Sequence, residues 1–138
     1  MVNTEKVIDA NIQTYTFSDE SGEVLASFRL NPADIRIPGR VFEAAEHFRK
    51  MAQEIPERVT DQDFLQLNNE WEERICYVLG YDARQSLFGF LSATTKLSSG
   101  ESFGSVVMKR IAEAVAEEYR KRLEILKAAV HKHTAKNE

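Results

Sequence analysis

Three histidines and one cysteine are the imidazole and thiol side chains of this sequence, the groups that bind zinc and similar metal ions most readily, and the thiol could also act as a nucleophile. His131 and His133 flank a lysine near the end of the chain, and a His-x-His pair contributes to a metal site when other ligands converge on it. His47 and Cys76 lie far away in the sequence, each within a predicted helix. We interpret His131 and His133 as part of a solvated tail and Cys76 as a small apolar core residue. The sequence therefore predicts no metal site and no cofactor.

Paired carboxylates could serve acid–base catalysis, which needs a water-poor pocket that separates their pKa values. Glu72-Glu73 and Glu117-Glu118 are such pairs, but both fall on predicted helix faces, where solvation is the simpler interpretation. The glycines follow neither the Gly-x-Gly-x-x-Gly nor the Gly-Lys-Ser pattern of a phosphate-binding loop. We expect a protein that is not an enzyme.

Basic side chains concentrate in the C-terminal part of the chain. Residues 101–138 hold eight basic and six acidic side chains, although the net charge of the whole chain is −4. This segment raises the alternative of a small nucleic-acid-binding regulator. Acidic residues interleave with the basic ones, a pattern typical of a solvated or ion-paired helix face, so we expect no nucleic-acid partner. The basic set is Lys109, Arg110, Arg120, Lys121, Arg122 and Lys127, and the interleaved acids are Glu113, Glu117, Glu118 and Glu124.

The elements that would position these side chains begin with a β-hairpin over residues 11–30. Two β-prone runs, 11–17 and 24–30, are separated by a turn-forming stretch that contains Gly22. Apolar residues alternate with others in the second run, so one face of the hairpin can be buried. A lone hairpin is marginally stable in water, so we expect it to pack on helices or to pair with another copy of the chain.

Apolar residues at three- and four-residue spacing predict four helices in a helical region over residues 40–130. The predicted helices cover residues 40–54, 60–79, 82–91 and 102–130. Residues 131–138 are expected to form a flexible polar tail. The predicted fold class is mainly α with an N-terminal β-hairpin (α+β), in a single domain over residues 1–138, with the last helix long.

Local signals fix the expected ends of these helices. Residues 35–39 contain a proline and predict a short extended connector. Thr60, followed by acidic residues, predicts a helix N-terminus, and Gly80 predicts the end of the same helix. Asp82 is the expected cap of the third helix, and the Ser/Thr-rich stretch 92–100 predicts a loop.

The last predicted helix is about 40 Å long at about 1.5 Å per residue. A small domain cannot cover the whole apolar stripe of such a helix, so we expect part of it to contact a partner. Self-association through the hairpin edge or through this helix is the expected form of a homo-oligomer. The predicted stripe contains Phe103, Val107, Ile111, Val115, Tyr119, Leu123, Leu126 and Val130.

A dense apolar and aromatic group surrounds the predicted third helix and the start of the fourth. Aromatic side chains bury large areas, so such a group forms either a corner of the core or a groove that binds the apolar helix of a partner. Both interpretations stay open at this point. The candidate partner-binding residues are Leu87, Phe88, Phe90, Leu91, Phe103 and Val107.

The order of these features resembles small tail proteins of long-tailed phages and prophages of Gram-positive bacteria. The similarity rests on a short hairpin, the Asn31-Pro32-Ala33-Asp34 turn, a helix, the segment 79–84 (Leu-Gly-Tyr-Asp-Ala-Arg), the segment 87–89 (Leu-Phe-Gly) and a long last helix. It covers most of the chain and is closest over residues 70–118. In that family, proteins encoded between the major tail protein and the tape-measure protein are tail assembly chaperones.

The resemblance implies a non-enzymatic protein that binds the helical tape-measure protein, or another tail protein, and releases it during tail assembly. A single cysteine, and an N-terminus with neither a basic start nor an apolar run, favour the cytoplasm of the bacterial host cell. The sequence contains no apolar run long enough to predict a transmembrane span, so we expect no membrane partner.

Overall fold

A computed structural model describes the backbone of residues 4–136 and the side chains of residues 4–132. Within these residues the chain forms a two-stranded antiparallel hairpin followed by four helices, the last of them long, as the sequence predicts. The elements are β1 (Gln13–Ser18), β2 (Val24–Leu30), α1 (Ile37–Gln53), α2 (Asp61–Leu79), α3 (Arg84–Phe88) and α4 (Phe103–Lys136).

The hairpin buries one face of β2. Ala26, Phe28 and Leu30 are buried, whereas Arg29 is exposed, which follows from the alternation of side chains along a strand. Tyr15 of β1 pairs with Phe28 across the ladder and stacks on it, with the ring centroids 5.1 Å apart. The hairpin therefore packs its apolar face onto the helices.

The turn between the strands is organised by one carboxylate. The Asp19 side chain accepts hydrogen bonds from the backbone N–H groups of Ser21 and Glu23, at 2.9 and 3.0 Å. Gly22 adopts a φ of 89°, which a residue without Cβ tolerates.

The first helix begins earlier than the sequence suggests. The extended connector expected over residues 35–39 is wrong in its second half, because α1 starts at Ile37 with Pro38 in its first turn. Proline fits there because its missing N–H would have no partner inside the helix and its φ is already helical. Ile37 is buried, so the early start adds a residue to the core.

The predicted ends of α2 are confirmed. The Thr60 side chain accepts a hydrogen bond from the Asp63 N–H, and the Asp63 carboxylate accepts one from the Thr60 N–H, which forms a capping box. At the other end Gly80 takes a left-handed conformation with a φ of 84°.

The third helix is shorter than expected. It ends at Phe88 instead of Leu91, and Gly89, a poor helix former, follows it. The residue at its N-cap position is Ala83, so Asp82 is not the cap. The Asp82 carboxylate accepts a hydrogen bond from the Arg84 N–H at 3.2 Å.

The polar loop before α4 is fastened to α2. Asn68 accepts hydrogen bonds from the N–H and the hydroxyl of Thr94, both at 3.0 Å. The Glu72 carboxylate accepts one from the N–H of Ala93, a residue that is fully buried. The Gly104 N–H donates to the Ala93 carbonyl at 2.7 Å. These contacts hold the start of α4 against α2.

The core lies where the hairpin, α1, α2, α3 and the first part of α4 meet. On α4 the buried side chains are those of Phe103, Val107, Ile111 and Ala114. The flexible tail expected at residues 131–138 differs from the structure over residues 131–136, which continue α4, and residues 137 and 138 lie outside the described part. Residues 131–136 contain neither Pro nor Gly, so no helix-breaking residue ends α4 before them.

Candidate protein-binding surface

The candidate residues around α3 do not form one accessible groove. Leu87, Phe103 and Val107 are buried in the core, so the structure places them in the core corner that was one of the two alternatives. Phe88 is half-buried and packs edge-to-face on Phe103, with the ring centroids 6.0 Å apart. A partner cannot contact the three buried side chains while this packing persists.

The remaining two candidates have different environments. Phe90 follows α3 and is 72% exposed, whereas Leu91 is half-buried against the core. A single exposed phenylalanine is an ordinary surface feature of a folded protein. The group around α3 therefore offers Phe90, and little else, to a partner.

A second apolar surface runs along α4, on a different side from its buried residues. Its members recur at alternating spacings of four and three residues, the seam of a coiled coil. We call this set the outer stripe: it consists of Ala112, Ala116, Tyr119, Leu123, Leu126 and Val130. Because an α-helix has 3.6 residues per turn, the outer stripe lies on a different side of α4 from the buried side chains, which are those of Phe103, Val107, Ile111 and Ala114.

The outer stripe faces solvent in the structure. Tyr119 is 65% exposed, Leu126 61% and Val130 58%, and Leu123 is 37% exposed. From Tyr119 to Val130 the stripe extends over about 17 Å of helix. Large apolar side chains that line up in this way on a small protein are typical of a helix-binding surface.

The first part of the outer stripe borders a groove of about 460 Å³ between α4 and the start of α1 with the segment before it. The apolar lining residues are Pro32, Pro38 and Val41 on one side, and Ala112, Val115, Ala116 and Tyr119 on the other. Arg120 and Arg122 are among the charged residues that line it, with Asp34 and Glu118. The groove and the outer stripe thus form one continuous apolar track.

Ion pairs occupy part of the basic set that raised the nucleic-acid alternative. Lys109 lies 2.5 Å from the Glu101 carboxylate, and Arg110 lies 3.7 Å from that of Glu113. Arg110 also covers the ring of Tyr15, at 4.7 Å from its centroid. Because these cations already contact groups of their own chain, they are less suited to phosphate binding.

Arg122 is also engaged within the chain, whereas its neighbours are exposed. It donates a hydrogen bond to the Ala33 carbonyl and lies 3.8 Å from the Glu118 carboxylate. Arg120, Lys121 and Lys127 are exposed on the outer part of α4.

The residues considered for chemistry lie apart from one another. Cys76 is half-buried, and burial raises the pKa of its thiol, which opposes formation of the reactive thiolate. His47 has its Nε2 atom 3.9 Å from the Glu70 carboxylate, at the surface between α1 and α2. His131 is exposed on α4, and the side chain of His133 lies outside the described part. In the part of the chain that is described, no cluster of three or more His, Cys, Asp or Glu side chains could hold a metal ion.

A membrane-spanning helix is not found among the described residues, since none of the helices is both long and apolar enough. No family model, curated protein or solved structure matches this chain.

Sequence reasoning identified Tyr119, Leu123, Leu126 and Val130 as apolar but joined them to the buried residues in one stripe. The groove beside Pro32 and Pro38 was missed. The signal that could have separated the two faces is the alternating four- and three-residue spacing, which continues back to Ala112.

Proposed function

We propose that this protein is a non-enzymatic helix-binding protein that acts as a tail assembly chaperone of a phage or prophage, with the tape-measure protein as its client. The observation that carries the proposal is the outer stripe of α4, where Tyr119, Leu123, Leu126 and Val130 face solvent. The resemblance around residues 70–118 adds the biological setting, the cytoplasm of a bacterial host cell.

The outer stripe suits reversible binding of a helix. A client helix would lay its own apolar side chains along the stripe, in the way that amphipathic helices bind hydrophobic grooves. The exposed stripe is short, and association costs translational, rotational and side-chain freedom, so a contact of this size is modest in affinity. Modest affinity is what a chaperone needs when tail subunits must displace it.

Self-association through the hairpin belongs to the same proposal. On β2 the Arg29 N–H donates to the Tyr81 hydroxyl at 2.7 Å, which occupies a backbone donor on the edge of that strand. Within the described residues β1 pairs only with β2, so its other edge is available for a strand of a second copy.

The nucleic-acid alternative receives less support. Lys109, Arg110 and Arg122 are engaged with groups of their own chain, and the exposed cations Arg120, Lys121 and Lys127 do not share one face of α4.

Co-expression tests the proposal directly. The tape-measure protein encoded in the same genome is expressed alone, with this chain, and with the variant Leu123→Asp/Leu126→Asp. We expect the client to be soluble with the wild-type chain and to aggregate with the variant, because each Asp places a charge in the apolar contact.

A matched control separates the site from a general effect on α4. Ile125→Asp/Ala128→Asp adds the same charge to exposed positions of the same helix, away from the outer stripe. We expect this control to keep the client soluble. A client that is equally soluble with and without the chain would overturn the proposal.

A further inference from the structure

The outer stripe of α4 has cations on both flanks. In a helical repeat with this spacing, Arg120 and Lys127 directly follow the stripe residues Tyr119 and Leu126, and Arg122 directly precedes Leu123. These are the positions that face the flanks of a helix paired along the stripe. The acidic residues Glu117, Glu118 and Glu124 of α4 fall at other positions of the repeat, whereas Glu113 directly follows Ala112 and flanks the start of the stripe. From Tyr119 onward the flanks of the described stripe are therefore basic.

This charge pattern disfavours pairing of two copies through their outer stripes. In a parallel pair, Arg122 of one copy would face Lys127 of the other. In an antiparallel pair of the exposed segments 119–130, Arg120 and Lys127 would face each other across the interface. Like charges meet in both arrangements, and such contacts destabilise helix pairs.

We propose that the outer stripe binds an amphipathic helix of another protein whose apolar stripe is flanked by Glu or Asp residues. This inference rests on the proposed function and specifies the chemistry of the client segment. The acidic flanks of the client pair with Arg120 and Lys127, while its apolar side chains lie on Tyr119, Leu123 and Leu126.

The groove at the start of the stripe provides an anchor for the same helix. Its apolar walls at Pro32, Pro38 and Val41 accept one large side chain of the client beside Tyr119. Two arginines and two acidic residues line the same groove. Glu118 lies 3.8 Å from Arg122 and Asp34 lies 2.7 Å from Arg36, so Arg120 is the cation of the groove that can face a carboxylate next to the apolar anchor. The expected binding motif is a Leu or aromatic residue with Glu or Asp at flanking positions.

Two synthetic peptides test the charge requirement. Both carry Leu at the stripe positions of a three-turn or longer helix, and they differ only in having Glu or Lys at every flanking position. Repulsion within each set discourages the peptide from pairing with itself. Affinity for the full chain is measured by fluorescence anisotropy in low and in physiological salt. We expect the Glu peptide to bind at least about tenfold more tightly than the Lys peptide, with the difference shrinking as salt rises.

Charge-reversed variants complete the experiment. Arg120→Glu/Lys127→Glu should reverse the preference, so that the Lys peptide binds more tightly. The control Lys121→Glu/Lys132→Glu adds the same charge at exposed positions away from the stripe and should keep the preference for the Glu peptide. Circular dichroism establishes that each variant keeps its helix content. Equal binding of the two peptides to the wild-type chain, or the same loss of preference in both variants, would overturn the inference.

The outcomes also separate this inference from the proposed function. If the tape-measure protein is kept soluble but the Glu peptide has no advantage, the charge requirement alone is wrong. If the peptide preference and its reversal are found while the tape-measure protein is unaffected, the inferred surface holds and the chaperone role is wrong. Light scattering that shows a dimer of the chain dissociating on Arg120→Glu/Lys127→Glu would assign the stripe to a second copy and overturn the inference.

Discussion

Arg122 of α4 donates a hydrogen bond to the backbone carbonyl of Ala33, 89 positions earlier in the chain. This contact joins the long helix to the segment between the hairpin and α1, beyond Ala114, the last buried side chain of the described part of α4. It forms one boundary of the apolar groove next to Tyr119. Past this point α4 continues to Lys136 with its outer stripe exposed, which is why we place the binding surface there.

The close approach of α4 to α2 predicts opposite effects of two Gly→Ala substitutions. A Cβ at Gly104 would lie 2.8 Å from the Trp71 ring and 3.0 Å from the Ala93 carbonyl, whereas a Cβ at Gly39 in α1 would meet nothing within 4 Å. We expect Gly104→Ala to destabilise the fold by about 1–2 kcal/mol through overpacking. Gly39→Ala should stabilise it by about 0.5–1 kcal/mol, because Ala is the better helix former. Urea denaturation measures the free energy of unfolding of both variants. Equal changes in the two would contradict the close packing of α4 on α2 at Gly104.

The residues around α3 make a second prediction, since they share one segment but differ in burial. Phe90→Ser should change the free energy of unfolding by no more than about 0.5 kcal/mol, because the side chain is exposed. Leu87→Ala should cost about 2–5 kcal/mol, because it leaves a cavity in the core. Thermal and urea denaturation compare the two variants. Loss of client solubility in the otherwise stable Phe90→Ser variant would move the binding site from α4 to this segment.

The ion pair before α1 gives a prediction about pH. The Asp34 carboxylate accepts hydrogen bonds from the side chain of Arg36 and from the backbone N–H of the same residue. These bonds lower the pKa of Asp34 from 3.8 to about 2. The stabilisation from this carboxylate is therefore complete above about pH 4 and is lost as the pH falls toward 2. At pH 3.8, carbon-13 NMR should show Asp34 still mainly ionised. In Arg36→Gln the backbone N–H still donates to this carboxylate, but the side-chain hydrogen bonds of the arginine are lost, so a larger fraction of the carboxyl should be protonated than in the wild-type chain. Identical titrations in the two proteins would rule out this pairing.

Nucleic-acid binding provides a fourth test. Since several of the basic side chains of α4 contact acidic side chains of their own chain, we expect no binding to DNA or RNA at physiological salt. Anisotropy titrations with labelled oligonucleotides over a range of salt concentrations measure this. A nanomolar affinity that weakens steeply with salt would favour the regulator alternative, because each neutralised phosphate releases counterions.

Local signals in the sequence were sufficient where neighbouring residues decide the structure. The Thr60 capping box and the Gly80 end of α2 depend on side chains and backbone within a few residues, so their patterns predicted them. The start of α1 at Ile37 was missed because burial of that side chain requires contact with distant elements. Sequence patterns therefore predict features that neighbouring residues determine, and they do not predict features that depend on contacts with distant elements.

In the candidate site too, the local sequence does not determine which side chains are exposed. Phe88 and Phe90 are identical in type and two positions apart, yet only Phe90 is largely exposed, and no local pattern distinguishes them. The polar sequence before α4 predicts a loop and gives no sign that it is attached to another element. In the structure, Asn68 of α2 accepts two hydrogen bonds from Thr94 of this loop. Long-range partners of this kind decide which apolar residues remain exposed, and in α4 they leave the outer stripe uncovered.

Hydrogen–deuterium exchange on the chain alone and in complex with the tape-measure protein tests the binding surface most directly. In the free chain, amides of residues 115–130 should exchange faster than those of 103–114, because the buried side chains of α4 lie in the earlier segment. On binding, we predict slower exchange over residues 115–130, with residues around Phe90 and on β1 unchanged. Exchange in α4 that is identical in the free and bound chain, with new protection elsewhere, would contradict the account.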